Sequence, residues 1–296
     1  MEAMSPSRAR ASLLGLALGD AFGSQFFVPA NRPHLTARSL PPAPWQWTDD
    51  TEMACSVHDM LTEQGTIDPD HLAAAFAARH DFDRGYGPAT NRLLRLVREG
   101  GDWRELAGGL FDGRGSWGNG AAMRVAPLGA WFAGDPSRAA REAALSAEIT
   151  HTHPEAIAGA VAVAVAAGLD PSLPPARFLD QIMEHVPPGL VRKGIEEARQ
   201  LLTIGDPLLV ARMLGNGRQV AAHDTVPFTL WVAARNRRDF AEAMWTTASA
   251  GGDVDTTCSI VGGIIAASPD VVLPAVWVER REPLPEWAGV RAPFTK

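Results

Sequence analysis

The sequence has few cysteines, and its acidic residues outnumber its basic ones. Two cysteines in 296 residues, Cys55 and Cys258, cannot build a disulfide scaffold, and each lies in an apolar stretch typical of a helix. We therefore expect a reduced protein of the cytoplasm. The formal net charge of −7 argues against binding to duplex DNA, which requires a basic face. An anionic small molecule stays open as a ligand class, because a metal ion can reverse the local potential.

Long apolar runs are also missing from the sequence. No uninterrupted stretch reaches the roughly 18–20 apolar residues that a membrane span needs, so we expect no membrane partner. Arg8 and Arg10 precede the apolar residues 11–18, an arrangement that resembles a short signal peptide. Because Asp20 ends that run and no clear cleavage motif follows, we predict a buried first helix there.

The chain lacks the alternation of apolar and polar residues that predicts β-strands, and helical periodicity dominates instead. A hydrophobic share of 46% excludes a disordered chain. We therefore predict an all-α fold. The predicted helices cover residues 8–19, 50–64, 69–80, 88–98, 118–132, 136–149, 154–168, 175–185, 191–203, 223–235, 238–249 and 254–267.

Nothing in the sequence divides it into parts. It contains no repeat of fixed period and no linker with a shifted composition. We therefore expect one domain over residues 1–296, whose proline-rich end, residues 270–296, forms a C-terminal strap on the surface. Because no coiled-coil heptads are present, we expect a monomer.

Two acidic clusters lie at the starts of predicted helices. The first covers residues 48–52 (TDDTE) and the second covers residues 251–257 (GGDVDTT), and an apolar helix follows each. One interpretation is helix capping, since threonine or aspartate satisfies the free N–H groups of a first turn and acids suit the positive end of the helix dipole. The other is a ligand site, because a Gly-Gly pair allows close approach of a ligand to the backbone.

The chemistry of these clusters favours a hard metal ion if the two come together. Mutual repulsion among Asp49, Asp50, Asp253 and Asp255 would then require cations. Magnesium and manganese take the oxygen ligands that carboxylates and threonine hydroxyls supply. The sequence offers no Cys/His spacing of the kind that binds zinc. A site for two metal ions is therefore our hypothesis for the residues of both clusters.

Three motifs in the same order give the chain a resemblance to a known family. Residues 15–23 (GLALGDAFG) resemble an opening G-x-x-x-GDxxG motif, residues 48–51 resemble T-D-D-T, and residues 252–256 (GDVDT) resemble G-D-x-D-T. Together they span about 240 residues, which is far more specific than any one of them alone. On these motifs the sequence resembles the ADP-ribosylglycohydrolases, which include the dinitrogenase-reductase-activating glycohydrolase.

The resemblance implies a compact, single-domain, orthogonal helical bundle with a metal centre in a central cleft. It implies two ions, Mg²⁺ or Mn²⁺, and a hydrolase that removes ADP-ribose from a modified protein side chain or nucleobase. The bond cleaved would be the N- or O-glycosidic bond at the anomeric carbon of the ribose. Asp50 and Asp255 would take part in catalysis. By motif position, the metal ligands would be Thr48, Asp49, Asp50, Asp253, Asp255 and Thr256.

Two further segments match the family and imply contacts with the substrate. Residues 115–124 (GSWGNGAAMR) resemble the family's G-S-x-G-N-G-x-x-M-R loop, and Thr150-His151 resembles its T-H pair. Backbone N–H groups of small residues would approach the diphosphate, Trp117 would stack on a ring of the ligand, and His151 would contact ADP-ribose. The implied substrate-binding residues are Gly115, Ser116, Trp117, Gly118, Asn119, Gly120 and His151.

Plainer interpretations of both segments stay open. The glycine loop could simply cap the following helix. His151 or His153 could be a solvent-exposed histidine at a helix start.

The chain departs from the family at one position. Many members carry a glutamate seven residues after the aspartate of the opening motif, where this chain has Phe27, and no acid occurs between Asp20 and Asp49. Glycoside hydrolysis normally uses carboxylates as acid and base. Asp83, in a stretch that resembles the F-D-x-G of one branch, could replace the missing group, or it could belong to an ordinary charged surface loop.

The aromatic residue at this position also suggests a changed pocket. Phe27 removes a charge near the bound ribose and would favour an aromatic leaving group such as a nucleobase. Two rival functions follow from the same sequence: a catalytically weakened ADP-ribose-binding protein, and a helical interaction module whose acidic clusters are only caps.

Overall fold

Helices account for the regular structure of residues 4–289, the part of the chain that the computed structural model describes. Within that range there is no strand, and only two isolated β-bridges occur. The helices are α1 Met4–Ser24, α2 Arg32–Ala37, α3 Asp49–Gln64, α4 Pro69–Arg79, α5 Pro88–Arg98, α6 Trp103–Gly108, α7 Leu110–Gly113, α8 Ala126–Trp131, α9 Pro136–Glu148, α10 Pro154–Gly168, α11 Pro175–Met183, α12 Leu190–Gln200, α13 Pro207–Leu214, α14 Ala222–Arg235, α15 Phe240–Ser249, α16 Val254–Ala266 and α17 Ala275–Val278. The predicted all-α fold is confirmed.

Three of these helices, α4, α9 and α13, begin at an aspartate followed by proline. Asp68 accepts hydrogen bonds from two first-turn N–H groups of α4, and Asp206 does the same for α13. Pro69 and Pro207 follow directly, at a position where the missing N–H of proline costs nothing. Such a signal explains why the predicted starts of α4 and α9, at residues 69 and 136, agree with the structure.

Two helices lie at the centre of the molecule. Almost every residue of α10 and α16 is buried, so neither has a polar face. Helices α8 and α14 pack on both of them, and α1 packs on α16. A helix that is apolar on all sides is stable only when other helices enclose it, and this arrangement defines the core.

Helix α1 packs on α16 along a row of glycines spaced four residues apart. A Cβ atom on Gly19 would lie 2.2 Å from the carbonyl oxygen of Cys258, and one on Gly23 would lie 2.4 Å from that of Val254. A Cβ atom on Gly15 would also clash with α16. The two backbones are therefore in direct contact, which places the start of α16 beside the last turns of α1.

The predicted helix over residues 118–132 is wrong in its first half. A 3₁₀ turn, Asn119–Ala121, replaces it, and helix α8 begins only at Ala126. Gly118 is extended, and Pro127 lies in the first turn of α8, where proline starts a helix. The short helices α2, α6, α7, α13 and α17 were not predicted, because each is eight residues or shorter and its periodicity covers little more than two turns at most.

The predicted C-terminal strap holds the segment that precedes α3. Trp277 of the strap is buried against Trp45, and the backbone of Trp45 exchanges hydrogen bonds with the strap. The indole of Trp47 donates to the carbonyl oxygen of Pro283 at 3.0 Å. Residues 290–296 of the strap lie outside the described residues.

The apolar run near the N-terminus is part of the buried helix α1. Leu13, Leu16 and Leu18 have no exposed surface, which confirms the predicted buried first helix. Among residues 4–289, no single helix has both the length and the apolarity to cross a bilayer. One consecutive pair, Pro6–Phe27 and Pro29–Ala37, meets that criterion only jointly and is bent by 100°.

Candidate functional site

Asp20 of α1 holds the first acidic cluster in place. Its carboxylate accepts hydrogen bonds from the backbone N–H and the hydroxyl of Thr48, at 2.9 and 2.8 Å. It also accepts from the backbone N–H and the hydroxyl of Thr51. The carboxylate is fully buried, and these four donors satisfy it. Sequence reasoning recorded Asp20 only as a motif residue and missed this role.

The two acidic clusters meet between the starts of α3 and α16. The hydroxyl of Thr256 donates to Asp50 Oδ2 at 3.3 Å, which joins the second cluster to the first. Asp253 accepts from the amide of Asn119 at 2.7 Å. Thr48 is also the N-cap of α3, so capping and convergence occur together in the first cluster. Helix capping and a ligand site, the two interpretations of this cluster, are therefore compatible with each other.

Burial and mutual repulsion raise the pKa values of these acids. Burial, followed by the charge of Asp20, raises the pKa of Asp49 to about 8. The pKa values of Asp50 and Asp255 rise well above their usual range for the same reasons, and burial raises that of Asp253 as well. The protein therefore cannot ionise all of these carboxylates at neutral pH unless a cation accompanies them.

The donor set suits a hard divalent cation. Asp50 Oδ1 is buried and has no hydrogen-bond partner among residues 4–289, which leaves an oxygen lone pair open toward the other acids. All neighbouring donors are carboxylate or hydroxyl oxygens, as Mg²⁺ and Mn²⁺ prefer. As the side chains stand, no three or more His, Cys, Asp or Glu residues in this range are arranged so that they could hold a metal ion. The residues therefore supply suitable ligand atoms, but these atoms do not form a coordination sphere.

A cleft of about 470 Å³ opens above these acids. Carboxylates lie in one part of its wall, and glycines, aromatic rings and a histidine lie in the rest. Its walls include Asp49, Asp50, Met53, Gly85, Gly87, Phe111, Ser116, Trp117, Gly118, Asn119, Gly120, Met123, His151, Gln219, Val220, Asp253, Asp255 and Thr256. The structure therefore brings most of the predicted site residues to one cavity.

The glycine loop packs directly on the ring of His151. A Cβ atom on Gly118 would lie 3.0 Å from His151 Nε2, and one on Gly120 would lie 2.9 Å from Cε1. Only glycine fits this closely against the ring. Ser116 Oγ accepts from the N–H of Gly118 at 3.2 Å and keeps the loop tight. The loop therefore lines the cleft instead of only capping the next helix.

His151 is buried and oriented by a hydrogen-bond chain. Arg124 Nη1 donates to Thr150 Oγ1 at 2.9 Å, and Thr150 Oγ1 lies 2.7 Å from His151 Nδ1. Burial lowers the pKa of His151 to about 3, so the ring is neutral. With Nδ1 accepting the threonine proton, the ring proton is placed on Nε2, on the side of the glycine loop.

The alternative interpretation of His151 as a solvent-exposed histidine at a helix start is wrong, because its side chain is buried. His153 is the histidine at the helix start, where its side chain accepts from the N–H of Glu155 at 3.2 Å.

Four predicted or discussed positions do not line the cleft. Thr48 lies beneath it, between Asp20 and Asp50. Gly115 packs on the 150–153 segment and takes a positive φ of 73°. Asp83 is exposed in its loop. Phe27 is half exposed and lies outside the cleft wall, and its predicted effect on the choice of leaving group stays a prediction.

Phe111 and Val220 are among the residues of the cleft wall that sequence reasoning missed. Phe111 is 53% exposed and has a φ of 52°, and Val220 is 57% exposed and has a φ of 53°. A positive φ is rare for non-glycine residues and is an outlier for a β-branched one. Such strained conformations are typical of functional sites. No sequence signal marks either residue, because backbone strain leaves no motif.

A buried carboxylate anchors one rim of the cleft. Glu52, one turn after Asp49, accepts from the hydroxyl of Tyr86 at 2.6 Å and from the N–H of Asp81 at 3.1 Å. The loop between these donors carries Gly85, whose Cβ position is 3.8 Å from Asp49 Oδ1. Glu52 therefore fixes the loop that borders the acids.

We expect Tyr86→Phe to destabilise the protein by about 2 kcal/mol, because a buried carboxylate loses a charged hydrogen bond. Denaturant unfolding measures this change.

Tyr86 is also the only tyrosine of the chain, so tyrosinate absorbance reports on it alone. Burial and the Glu52 charge raise its pKa well above 10, and we expect no ionisation near pH 10 in the folded protein. Ionisation of Tyr86 near pH 10, as in a free tyrosine, would contradict its burial against Glu52.

Comparisons with known proteins agree with this site. A family model described as ADP-ribosylglycohydrolase matches residues 1–291. The human ADP-ribosylhydrolase ARH3 is 30% identical over 318 aligned residues, which cover 90% of this chain and 86% of that protein. The ADP-ribosylarginine hydrolase Tri1 of Pseudomonas putida is 28% identical over 291 residues, which cover 92% of this chain and 74% of that protein.

A solved structure, described as an ADP-ribosylglycohydrolase-related protein complex, has a similar fold. Its TM-score is 0.66 at 25% sequence identity, and the match covers 97% of this chain and 96% of that chain. The family match spans the α1, α3 and α16 motifs, and the acids of the α3 and α16 motifs line the cleft. The chain therefore belongs to the ADP-ribosylglycohydrolase family and is a glycohydrolase enzyme.

Proposed function

We propose that the protein hydrolyses the glycosidic bond at the anomeric carbon of a target-linked ADP-ribose, with the help of two divalent cations, Mg²⁺ or Mn²⁺. One observation carries this proposal. A single cleft joins a cluster of buried, repelling carboxylates to a wall of glycines and two half-exposed aromatic rings, Trp117 and Phe111. A cation-dependent centre and a nucleotide-sized pocket are thus contiguous.

The carboxylates and hydroxyls of both clusters would hold the cations. We assign this role to Thr48, Asp49, Asp50, Asp253, Asp255 and Thr256, as their oxygen-only chemistry suggests. Bound divalent cations would supply positive charge for the ribose hydroxyls and lower the pKa of a water molecule. Asn119 donates to Asp253 and would keep that carboxylate turned toward the cluster.

The remaining wall would bind the nucleotide part of the substrate. Trp117 and Phe111 present apolar faces on which an adenine can stack. The proton on His151 Nε2 and the small residues of the glycine loop would face the diphosphate. ADP-ribose would then lie with its adenine at the rings and its anomeric carbon at the carboxylates.

Asp50 and Asp255 are better placed than Asp83 for proton transfer at the glycosidic bond. Both line the cleft, where burial and the neighbouring carboxylates raise their pKa values well above that of a free aspartate. Asp83 is exposed and does not line the cleft, so an acid–base role for it would require its loop to move. The Asp83 role predicted from the sequence stays a prediction.

We also propose that the protein acts as a monomer in the cytoplasm. Cys55 and Cys258 are buried and unpaired, as in a reduced compartment.

A catalytically weakened ADP-ribose-binding protein is the second candidate. The acids that line the described cleft are Asp49, Asp50, Asp253 and Asp255, and none comes from the segment around Phe27.

The test is release of ADP-ribose from arginine-, serine- and nucleobase-linked adducts. We expect release with Mg²⁺ or Mn²⁺, none with EDTA, and a loss of at least roughly 100-fold in Asp255→Asn. The adduct that is cleaved names the linkage. Release that EDTA leaves unchanged would contradict the cation dependence. Tight ADP-ribose binding without release from any adduct would favour the binding protein.

A further inference from the structure

A second cavity lies beside the cleft, behind the loop of residues 215–220. Its volume is about 430 Å³, and helices α12, α13 and α14 form most of its wall. We call it the basic cavity. It is lined by Leu190, Lys193, Gly194, Glu197, Ala211, Arg212, Met213, Leu214, Gly215, Asn216, Arg218, Gln219, His223 and Asp224. None of these residues except Gln219 lines the cleft.

The basic cavity adjoins the aromatic part of the cleft. Gln219 lines both cavities. Trp117 lines the cleft, and its ring meets the ring of His223 edge-on, with 6.0 Å between the centroids. His223 in turn lines the basic cavity. A ligand stacked on Trp117 would therefore lie next to the entrance of the basic cavity.

The charges in the basic cavity favour an anion. Glu197 lies 4.0 Å from Lys193, and Asp224 is buried and accepts hydrogen bonds from Gln219, so both acids are already engaged. The guanidinium groups of Arg212 and Arg218 have no hydrogen bond, ion pair or ring contact with any residue that the structure describes. Two cations of this chain are thus free beside one cavity, although its net charge is −7.

A third polar group in the same cavity also lacks a partner. His223 Nδ1 is buried and forms no hydrogen bond within residues 4–289. A buried polar nitrogen without a partner costs free energy. The basic cavity therefore combines two free guanidinium groups with one unsatisfied ring nitrogen.

We propose that the basic cavity binds a phosphate group on the adenosine ribose of the substrate. Guanidinium groups bind phosphate in a forked, two-bond geometry, which makes phosphate the preferred anion. The position follows from the proposed function, on which this inference rests, because that function places adenine on Trp117. The opposite end of the substrate would lie at the four carboxylates, which are outside the basic cavity. The substrate class is thus ADP-ribose that carries a 2′- or 3′-phosphate on its adenosine.

Calorimetric titration tests this site with three probes: ADP-ribose, its 2′-phosphate and its 3′-phosphate. We expect one of the two phosphates to bind the wild-type protein at least about 10-fold more tightly than ADP-ribose at low ionic strength. The advantage should shrink as salt is added, because the arginines are exposed. The probe with the advantage identifies the ribose oxygen that faces the cavity.

The double variant Arg212→Gln/Arg218→Gln should lose this advantage and keep its affinity for ADP-ribose within about 2-fold. Arg238→Gln, which removes an exposed arginine outside both cavities, is the matched control and should behave as the wild type. Equal affinities for all three probes, or an advantage that persists in the double variant, would overturn the proposal. Failure of the wild type to bind ADP-ribose at all would instead overturn the proposed function, and this inference with it.

Discussion

Replacing Gly19 with alanine is expected to lower the free energy of unfolding by about 3 kcal/mol, at the upper end of overpacking effects. The added methyl would lie 2.2 Å from the carbonyl oxygen of Cys258 and 3.3 Å from the sulfur of Met244. A backbone oxygen cannot rotate away as a side chain can. Helices α1 and α16 must separate instead, and the contacts of two core helices weaken together.

A matched control separates this clash from the general effect of alanine in a helix. Gly108 lies in α6, and a Cβ atom there would meet nothing within 4 Å. Gly108→Ala should therefore be neutral or stabilise by up to about 1 kcal/mol, the helix-propensity gain that Gly19→Ala also receives. Thermal unfolding should show a loss of roughly 5–10 °C for Gly19→Ala and none for the control.

The same substitution tests how the fold positions the site. Asp20 follows Gly19 directly, and Asp255 lies in the first turn of α16. Separation of the two helices should therefore weaken the binding of divalent cations as well as stability. Equal stabilities of Gly19→Ala and Gly108→Ala would mean that α1 and α16 do not pack backbone against backbone.

The helical fold could be predicted from the sequence because its signals are local. Apolar periodicity gives the long helices, and acid–proline pairs such as Asp68-Pro69 mark their starts. The two acidic clusters were also visible as helix starts. Their meeting was not, because it depends on the crossing of α1 and α16, a contact between distant parts of the chain. The family resemblance supplied that information.

The missed features are those that no short motif encodes. Asp20 acts through threonines 28 and 31 positions away, so its role follows from packing. Phe111 and Val220 reach the cleft through positive φ angles that their residue types disfavour. The wrong helix over 118–132 has a similar origin, because Ala-rich composition after Gly118 suggested a helix where contacts with His151 require an irregular loop.

Without divalent cations, the protein should lose stability as the pH rises from about 4 to about 8. The pKa of Asp49 in the folded protein is about 8, and that of Asp20 is about 6, against 3.8 for an unperturbed aspartate. Between these values the folded state binds more protons than the unfolded state. Stability therefore falls with rising pH over this range, by linkage.

Divalent cations should reverse this trend, because they bind the ionised carboxylates of the folded protein. At a free concentration about 100-fold above Kd, the gain is about 2.7 kcal/mol. We expect a small rise in Tm on adding Mg²⁺ or Mn²⁺ at pH 5, and a rise of roughly 5–10 °C at pH 8. At each pH, the Tm with cations is compared with the Tm without them. Groups elsewhere in the protein titrate equally in both samples, so their effect cancels in this difference.

Asp50→Asn makes this prediction specific to the cluster. The amide removes one buried charge, so the cation-free variant should melt higher than the wild type at pH 8 and gain less from cations. Asp270→Asn, which changes an exposed acid outside the cleft, should change neither value. The cations would bind elsewhere if the rise in Tm that they cause were equal at pH 5 and pH 8. The same conclusion would follow if Asp50→Asn showed as large a rise as the wild type. The cleft acids would then be helix caps, and their repulsion would have no role in binding.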